Sequence, residues 1–335
     1  LVSLASIDSF YFNNQILWFV LGFVVIFFGS QINWPWLLKQ LGFRHGFYWF
    51  SVSLLLIPFL QPGLIRGADR LISFGGFYFQ PSEIVKIALL IFLAGFFSRR
   101  HVAAWQNKNI LISFIYALVP VLIVMNQPDL GSAIAVGSIW LGFLLMSGIN
   151  KKKFLVGLVI FLLMIAIMWL FVLHPYQKDR VLSFIFPEID PLGTSYNVIQ
   201  SKIAIGSAGF WGKGFGMGTQ VQFGFLPESH NDFIFAAFVE EWGIFGGVIL
   251  LLTYSLLILR IVSTGLKARS NDLKFLILGI GLIFLMHMSL NIGSATGLLP
   301  VTGINLLFVS YGGSNLLTSS ILISIMERIR IESTS

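Results

Sequence analysis

Apolar runs long enough to cross a lipid bilayer recur along this chain, and nothing else in the sequence restricts its fold as strongly. Nine can be counted, near residues 15–30, 47–60, 82–97, 110–125, 131–149, 154–173, 233–259, 274–293 and 304–326. A helical crossing takes about 20 apolar residues. It must also satisfy its own backbone polar groups inside the lipid, which a helix does. The expected fold is an all-α polytopic membrane bundle forming one domain over residues 1–335. Composition agrees: 56% of residues are hydrophobic and 10% charged, where a soluble domain carries about 25% charged residues. With no cysteine, disulfides and thiolate metal sites are excluded. Residues 1–7 read as the tail of a further membrane helix.

The net charge of +7 would suit a nucleic-acid binder, but in a membrane chain the placement of charge says more than its sum. One set of loops carries 14 basic residues: Lys39, Arg44, Arg99, Arg100, Lys108, Lys151, Lys152, Lys153, Arg260, Lys267, Arg269, Lys274, Arg328 and Arg330. The opposite set carries 7. The positive-inside rule puts the first set in the cytoplasm. Most of the acids fall on the other face, and that outer face is where chemistry is expected.

Two outer segments hold most of the polar residues. One runs from Gln61 through Arg70 to Phe79-Gln-Pro-Ser-Glu83. The other is a large extracytoplasmic loop over 174–232, rich in glycine and aromatics, which fits an ordered functional loop better than a disordered one. It ends in Phe225-Leu-Pro-Glu228, His230 and Asp232, just before a span. Asp232 is the leading catalytic residue, because a carboxylate beside a helix N-terminus stays ionised, as a general base must. A plain helix cap by Asn231 or Asp232 explains the same residues as well.

Other residues have similarly double readings. Glu83 and Lys86 share a helix face at i,i+3, so they form either an ordinary ion pair or part of a site. Asp129, in Gln127-Pro-Asp-Leu-Gly131, could simply cap a turn. Glu240 and Glu241 lie about 12 Å below Asp232 by helix rise. Glu240 projects nearer the face of Asp232, Glu241 to the opposite one, and at least one needs a partner in the bundle. Arg70, Arg180, Lys202 and Lys213 are outer cations that together could hold a phosphate-bearing ligand. His287 and Asn291, inside a span, read as packing groups. The stretch Gly206 to Gly218 lacks nucleotide-loop spacing.

In this order, the clusters resemble the SEDS family of RodA/FtsW/SpoVE-type cell-wall polymerases. The matching pieces are Gly67-Ala68 with Arg70, Phe79-Gln-Pro-Ser-Glu83 with Lys86, Gln127-Pro-Asp-Leu-Gly131 and Asp190-Pro-Leu-Gly193. They continue through Ala204-Ile-Gly-Ser207, Gly212-Lys-Gly214, Phe225-Leu-Pro-Glu228, His230, Asp232-Phe-Ile-Phe235, Glu240-Glu241 and Val309-Ser-Tyr-Gly-Gly-Ser314, which contains Ser310. Gly218-Thr-Gln220 looks more RodA-like than FtsW-like. The sequence departs from the family at Leu71, where Trp is usual, at Asn231, usually Thr, and at Asn305 and Leu307, usually prolines.

The resemblance implies ten membrane helices, of which about nine are present here. It implies a peptidoglycan glycosyltransferase that polymerises lipid II at the outer face of the bacterial cytoplasmic membrane, partnered by a class B penicillin-binding protein. The family's essential loop aspartate matches Asp232. Arg70, Lys86, Lys202 and Lys213 are then candidates to stabilise a departing pyrophosphate, with Glu83, Asp129, His230, Glu240 and Ser310 as further substrate-binding candidates. A Mg or Mn ion at the pyrophosphate fits that chemistry, although no dedicated metal cage is visible. The alternatives are a flippase of lipid-linked precursor and a non-catalytic scaffold of a wall-synthesis complex.

Overall fold

A computed structural model describes residues 2–7, 9–60, 71–74, 77–100, 106–148 and 195–334, with scattered positions between 153 and 193. The helices are α1 (Val2–Ile7), α2 (Ser9–Gly29), α3 (Trp34–Lys39), α4 (Leu41–Leu54), α5 (Ile57–Leu60), α6 (Pro81–Arg99), α7 (Asn107–Asn126) and α8 (Leu130–Met146). They continue as α9 (Tyr196–Ser207), α10 (Thr219–Gln222), α11 (Ile234–Lys267), α12 (Asn271–Thr296) and α13 (Gly313–Thr334). An antiparallel hairpin of β1 (Ile72–Phe74) and β2 (Phe77–Phe79) precedes α6.

Six helical spans are long and apolar enough to cross a membrane: Phe10–Gly29, Leu41–Leu60, Pro81–Arg99, Asn107–Asn126, Ile234–Lys267 and Asn271–Thr296. The shorter apolar α8 and the 22-residue α13 pack among them. The span expected at 154–173 lies almost wholly outside the described residues, as does Arg70.

The axis of the bundle is α6. It touches α4, α7, α8, α12 and α13. Its sequence is apolar all round, as a helix enclosed on every side must be. Leu89, Leu90, Leu93 and Phe97 are fully buried, together with Phe143 of α8 and Phe284 of α12. The outer faces of α2 and α11 instead expose Phe23, Phe27, Phe28, Leu252, Leu256 and Leu259, as lipid-facing surfaces do. Gly22 and Gly29 let α2 lie close on α13, since a Cβ at either would meet Ser320 or Ser324.

The last expected span is corrected. Residues 304–326 read as one apolar run, but α13 begins only at Gly313 and continues to Thr334. The preceding segment, 300–312, is non-helical. Pro300 lacks a helical donor, and Gly303 and Phe308 take positive φ of 70° and 64°. The apolar side chains that mimic a span, Ile304, Leu306 and Leu307, are buried between helices instead.

Candidate functional site

At one end of the bundle, α11 begins just after Asp232, with Phe233 rather than Asn231 or Asp232 at its N-cap and no side chain closing it. The segment before the helix is held from two sides. Asn291 of α12 donates one amide hydrogen to the Asp232 carbonyl at 3.1 Å and the other to Ile304 O at 2.9 Å. Ser310 Oγ donates to the Asn231 carbonyl at 2.8 Å and accepts from Leu306 N at 2.9 Å. Tyr311 N donates to the His230 carbonyl at 2.9 Å. Three successive carbonyls, 230 to 232, are thus fixed by side chains and backbone of later elements. The Asp232 side chain is half-buried. One carboxylate oxygen lies 3.6 Å from where a Cβ on Gly303 would stand.

The His230 ring stacks on Tyr11 of α2, with centroids 4.2 Å apart, and Tyr311 meets both rings edge-on. Gln15, fully buried on α2, donates to Ser310 O and accepts from Gly312 N. Sequence reading missed Tyr11 and Gln15. The available signal was the polar run Asn13-Asn14-Gln15 inside an apolar helix, since buried amides require partners.

A second cluster sits at the start of α6. Lys86 Nζ donates to Glu83 Oε1 at 2.8 Å and lies 3.0 Å from His287 Nε2 of α12. His287 Nδ1 lies 2.8 Å from the Asn305 carbonyl. A ring that donates through Nδ1 offers Nε2 as an acceptor to the ammonium. Glu83, Lys86 and His287 are all buried, and among the described residues Glu83 Oε2 has no hydrogen-bond partner. His287 is therefore more than a packing group. His287 and Asn291, one turn apart on α12, grip the successive residues Asn305 and Ile304. That segment ties the Glu83–Lys86 pair to the Asp232 loop.

The glycine-rich stretch has a structural explanation. At Gly243, with φ 71°, α11 breaks, and the break opens its hydrogen-bond ladder. The loop fills it. Lys213 N and Gly214 N donate to the carbonyls of Glu240 and Glu241, while Ile244 N and Phe245 N donate to those of Gly209 and Phe210. A Cβ on Gly212 would strike the Glu241 carbonyl, and one on Gly243 the Phe210 carbonyl. Both positions need glycine for positive φ and for close approach.

Glu240, fully buried, accepts from Lys213 Nζ at 2.7 Å, Thr219 Oγ1 at 3.3 Å, Gln220 N at 2.9 Å and Val221 N at 3.3 Å. Glu241 accepts from Gly216 N at 3.2 Å. Both glutamates bind the same loop, because that loop wraps the broken turn. Of the four outer cations, two are described. Lys213 is engaged by Glu240, Lys202 lies against the left-handed Gly297 at the end of α12, and Arg70 and Arg180 fall outside the described residues. Asp129 caps α8 through Ser132 N at 3.0 Å and accepts from Gln80 Nε2 at 2.9 Å. Among the described residues, no three His, Asp or Glu side chains converge on a metal position.

With this geometry in place, comparison with known proteins decides the family. The model of the FtsW/RodA/SpoVE cell cycle proteins matches residues 2–335. The chain belongs to this family. It is 42% identical over 272 residues to the peptidoglycan glycosyltransferase MrdB of Escherichia coli K12, a RodA-type protein, covering 81% of this chain and 73% of that one. To stage V sporulation protein E of Bacillus subtilis it is 36% identical over 328 residues, covering 92% and 84%. One chain of a solved peptidoglycan synthase complex that coordinates polymerization and crosslinking superposes with a TM-score of 0.84 at 28% identity, covering 99% of this chain and 94% of that one. The family's multi-pass helical bundle is the architecture described above.

Proposed function

We propose that Asp232 is the general base of a peptidoglycan glycosyltransferase that polymerises lipid II at the extracytoplasmic face of the bacterial cytoplasmic membrane. The glycosyltransferase activity rests on the family and on the relatives named for it. The observation that carries the assignment of the base is the immobilised loop at 230–232. Three carbonyls are held, and the side chain is half-buried. A base needs this combination of fixed backbone and reachable carboxylate.

In the reaction, the acceptor sugar's 4-hydroxyl oxygen attacks the donor's anomeric carbon. Asp232 takes the hydroxyl proton as the new C–O bond forms. The bond to the lipid pyrophosphate breaks, and the leaving group departs as an anion. One base plus cations suits an inverting transfer better than a retaining carboxylate pair. Lys202, exposed beside the end of α12, is the described cation free to face a diphosphate, Lys86 being held by Glu83 and His287 and Lys213 by Glu240. A Mg or Mn ion at the diphosphate would take most of its ligands from the diphosphate oxygens.

The excess of basic residues on the opposite loops supports the outer placement. The likeness to a synthase complex that couples polymerization to crosslinking supports a class B penicillin-binding protein as partner. The test is to supply lipid II to purified protein with and without that partner and to read glycan length on a gel. Strands from the native protein support the reading. None under either condition would point to flipping or scaffolding.

A further inference from the structure

The opposite end of the bundle holds a site that catalysis does not use. A cavity of about 470 Å³ lies between the first turn of α4, the last turns of α6 and the middle of α7. Its walls are apolar and aromatic: Leu41, Phe92, Phe96, Ile112 and Tyr116. Its rim carries Arg44, Arg99 and Arg100, with His45 beside them. Arg44 is neutralised, because its guanidinium pairs with Asp272 at 2.9 Å and its Nε donates to Leu38 O. His45, Arg99 and Arg100 are exposed.

The two arginines are poised differently from ordinary solvated cations. Arg100 lies 4.3 Å over the Phe96 ring. Stacking uses the face of a guanidinium and leaves its N–H edge free for an oxyanion. Among the described residues, Arg99 reaches a weak bond, Nη2 to the Lys39 carbonyl at 3.4 Å. An aromatic cluster closes the cavity toward the bilayer centre: Tyr48, Phe92 and Tyr116 meet in tilted and edge-on contacts, and the Tyr48 hydroxyl donates to the Tyr116 carbonyl at 2.6 Å.

We propose that this cavity binds an anionic phospholipid of the cytoplasmic leaflet. Its phosphodiester sits between Arg99 and Arg100, and the glycerol and upper acyl chain lie on Phe92, Phe96 and Ile112. A basic pocket between helices at the cytoplasmic side is where acidic headgroups bind. The apolar wall distinguishes a lipid from a free phosphate, which gains nothing from Phe92 or Ile112. The site lies at the far end of α6 from Glu83 and Lys86, so its loss leaves that cluster intact.

The test uses the purified full chain in neutral detergent, so it does not depend on orientation in a membrane. Retention of dioleoyl phosphatidylglycerol against dioleoyl phosphatidylcholine is read by native mass spectrometry and by thermal shift. The native protein should retain and be stabilised by the phosphatidylglycerol. Arg99→Ala with Arg100→Ala should weaken that binding roughly thirtyfold while leaving the melting temperature in phosphatidylcholine unchanged. Ile112→Trp, which fills the cavity without altering charge, should also lose the lipid. Lys267→Ala with Arg269→Ala, removing equal charge elsewhere on the same end, should retain it. Undiminished binding in either cavity variant, or equal loss in the Lys267/Arg269 control, would overturn the proposal. Equal stabilisation by inorganic phosphate would overturn the lipid assignment in favour of a soluble anion.

Discussion

Two buried glutamates, each paired with a lysine, do opposite things. Glu240 is saturated: one lysine, one hydroxyl and two backbone N–H groups converge on it, all from the loop wrapped around the broken helix. Glu83 has the same kind of lysine partner but keeps one oxygen without a hydrogen bond among the described residues. A saturated carboxylate stabilises architecture. A buried carboxylate oxygen with spare capacity costs free energy, and such a cost is commonest where the group serves a ligand. The difference separates clamp from site even though charge, burial and partner type are alike.

The comparison can be broken by substitution. Glu240→Ala should have the largest effect on stability. It strands Lys213 and two loop N–H groups at a buried point, with a loss of about 3–5 kcal/mol, read as a lower melting temperature or loss of monodisperse protein. Gly243→Ala comes next, about 1–3 kcal/mol, because alanine resists a φ of 71° and its methyl meets the loop backbone. Glu83→Gln should cost about 1–2 kcal/mol, since the amide oxygen still accepts from Lys86, yet it should depress polymerisation far more than that loss of stability explains. Lys202→Ala, at an exposed cation beside a helix C-terminus, should change stability by about 0.5 kcal/mol. If Glu240→Ala melted like the native protein while Glu83→Gln unfolded, the roles would be reversed.

Much of this was legible in the sequence, for reasons that can be named. Spans are written in composition, so α2, α4, α6, α7, α11 and α12 emerge from apolar run length. Asp129 followed by a serine three residues on is a readable cap, and Glu83 with Lys86 a readable pair. What escaped depends on contacts between distant residues. Lys213 and Glu240 are 27 positions apart, and no local pattern joins them. The 300–312 segment has the hydropathy of a helix, and only Phe308 in a left-handed conformation and the buried turn show otherwise. The hairpin at 72–79 is too short to register as alternation. Gly243 looks like any helical glycine until the loop that needs it is in place.

Asp232→Asn tests the account most directly. The substitution preserves size and leaves the backbone carbonyl that Asn291 holds, so the bundle should fold as before. With purified lipid II and the transpeptidase partner, the native protein should make glycan strands, and the folded variant should be slower by about 100-fold or more, the usual worth of a general base. Equal polymer from both proteins would contradict the assignment and move the base to Glu83.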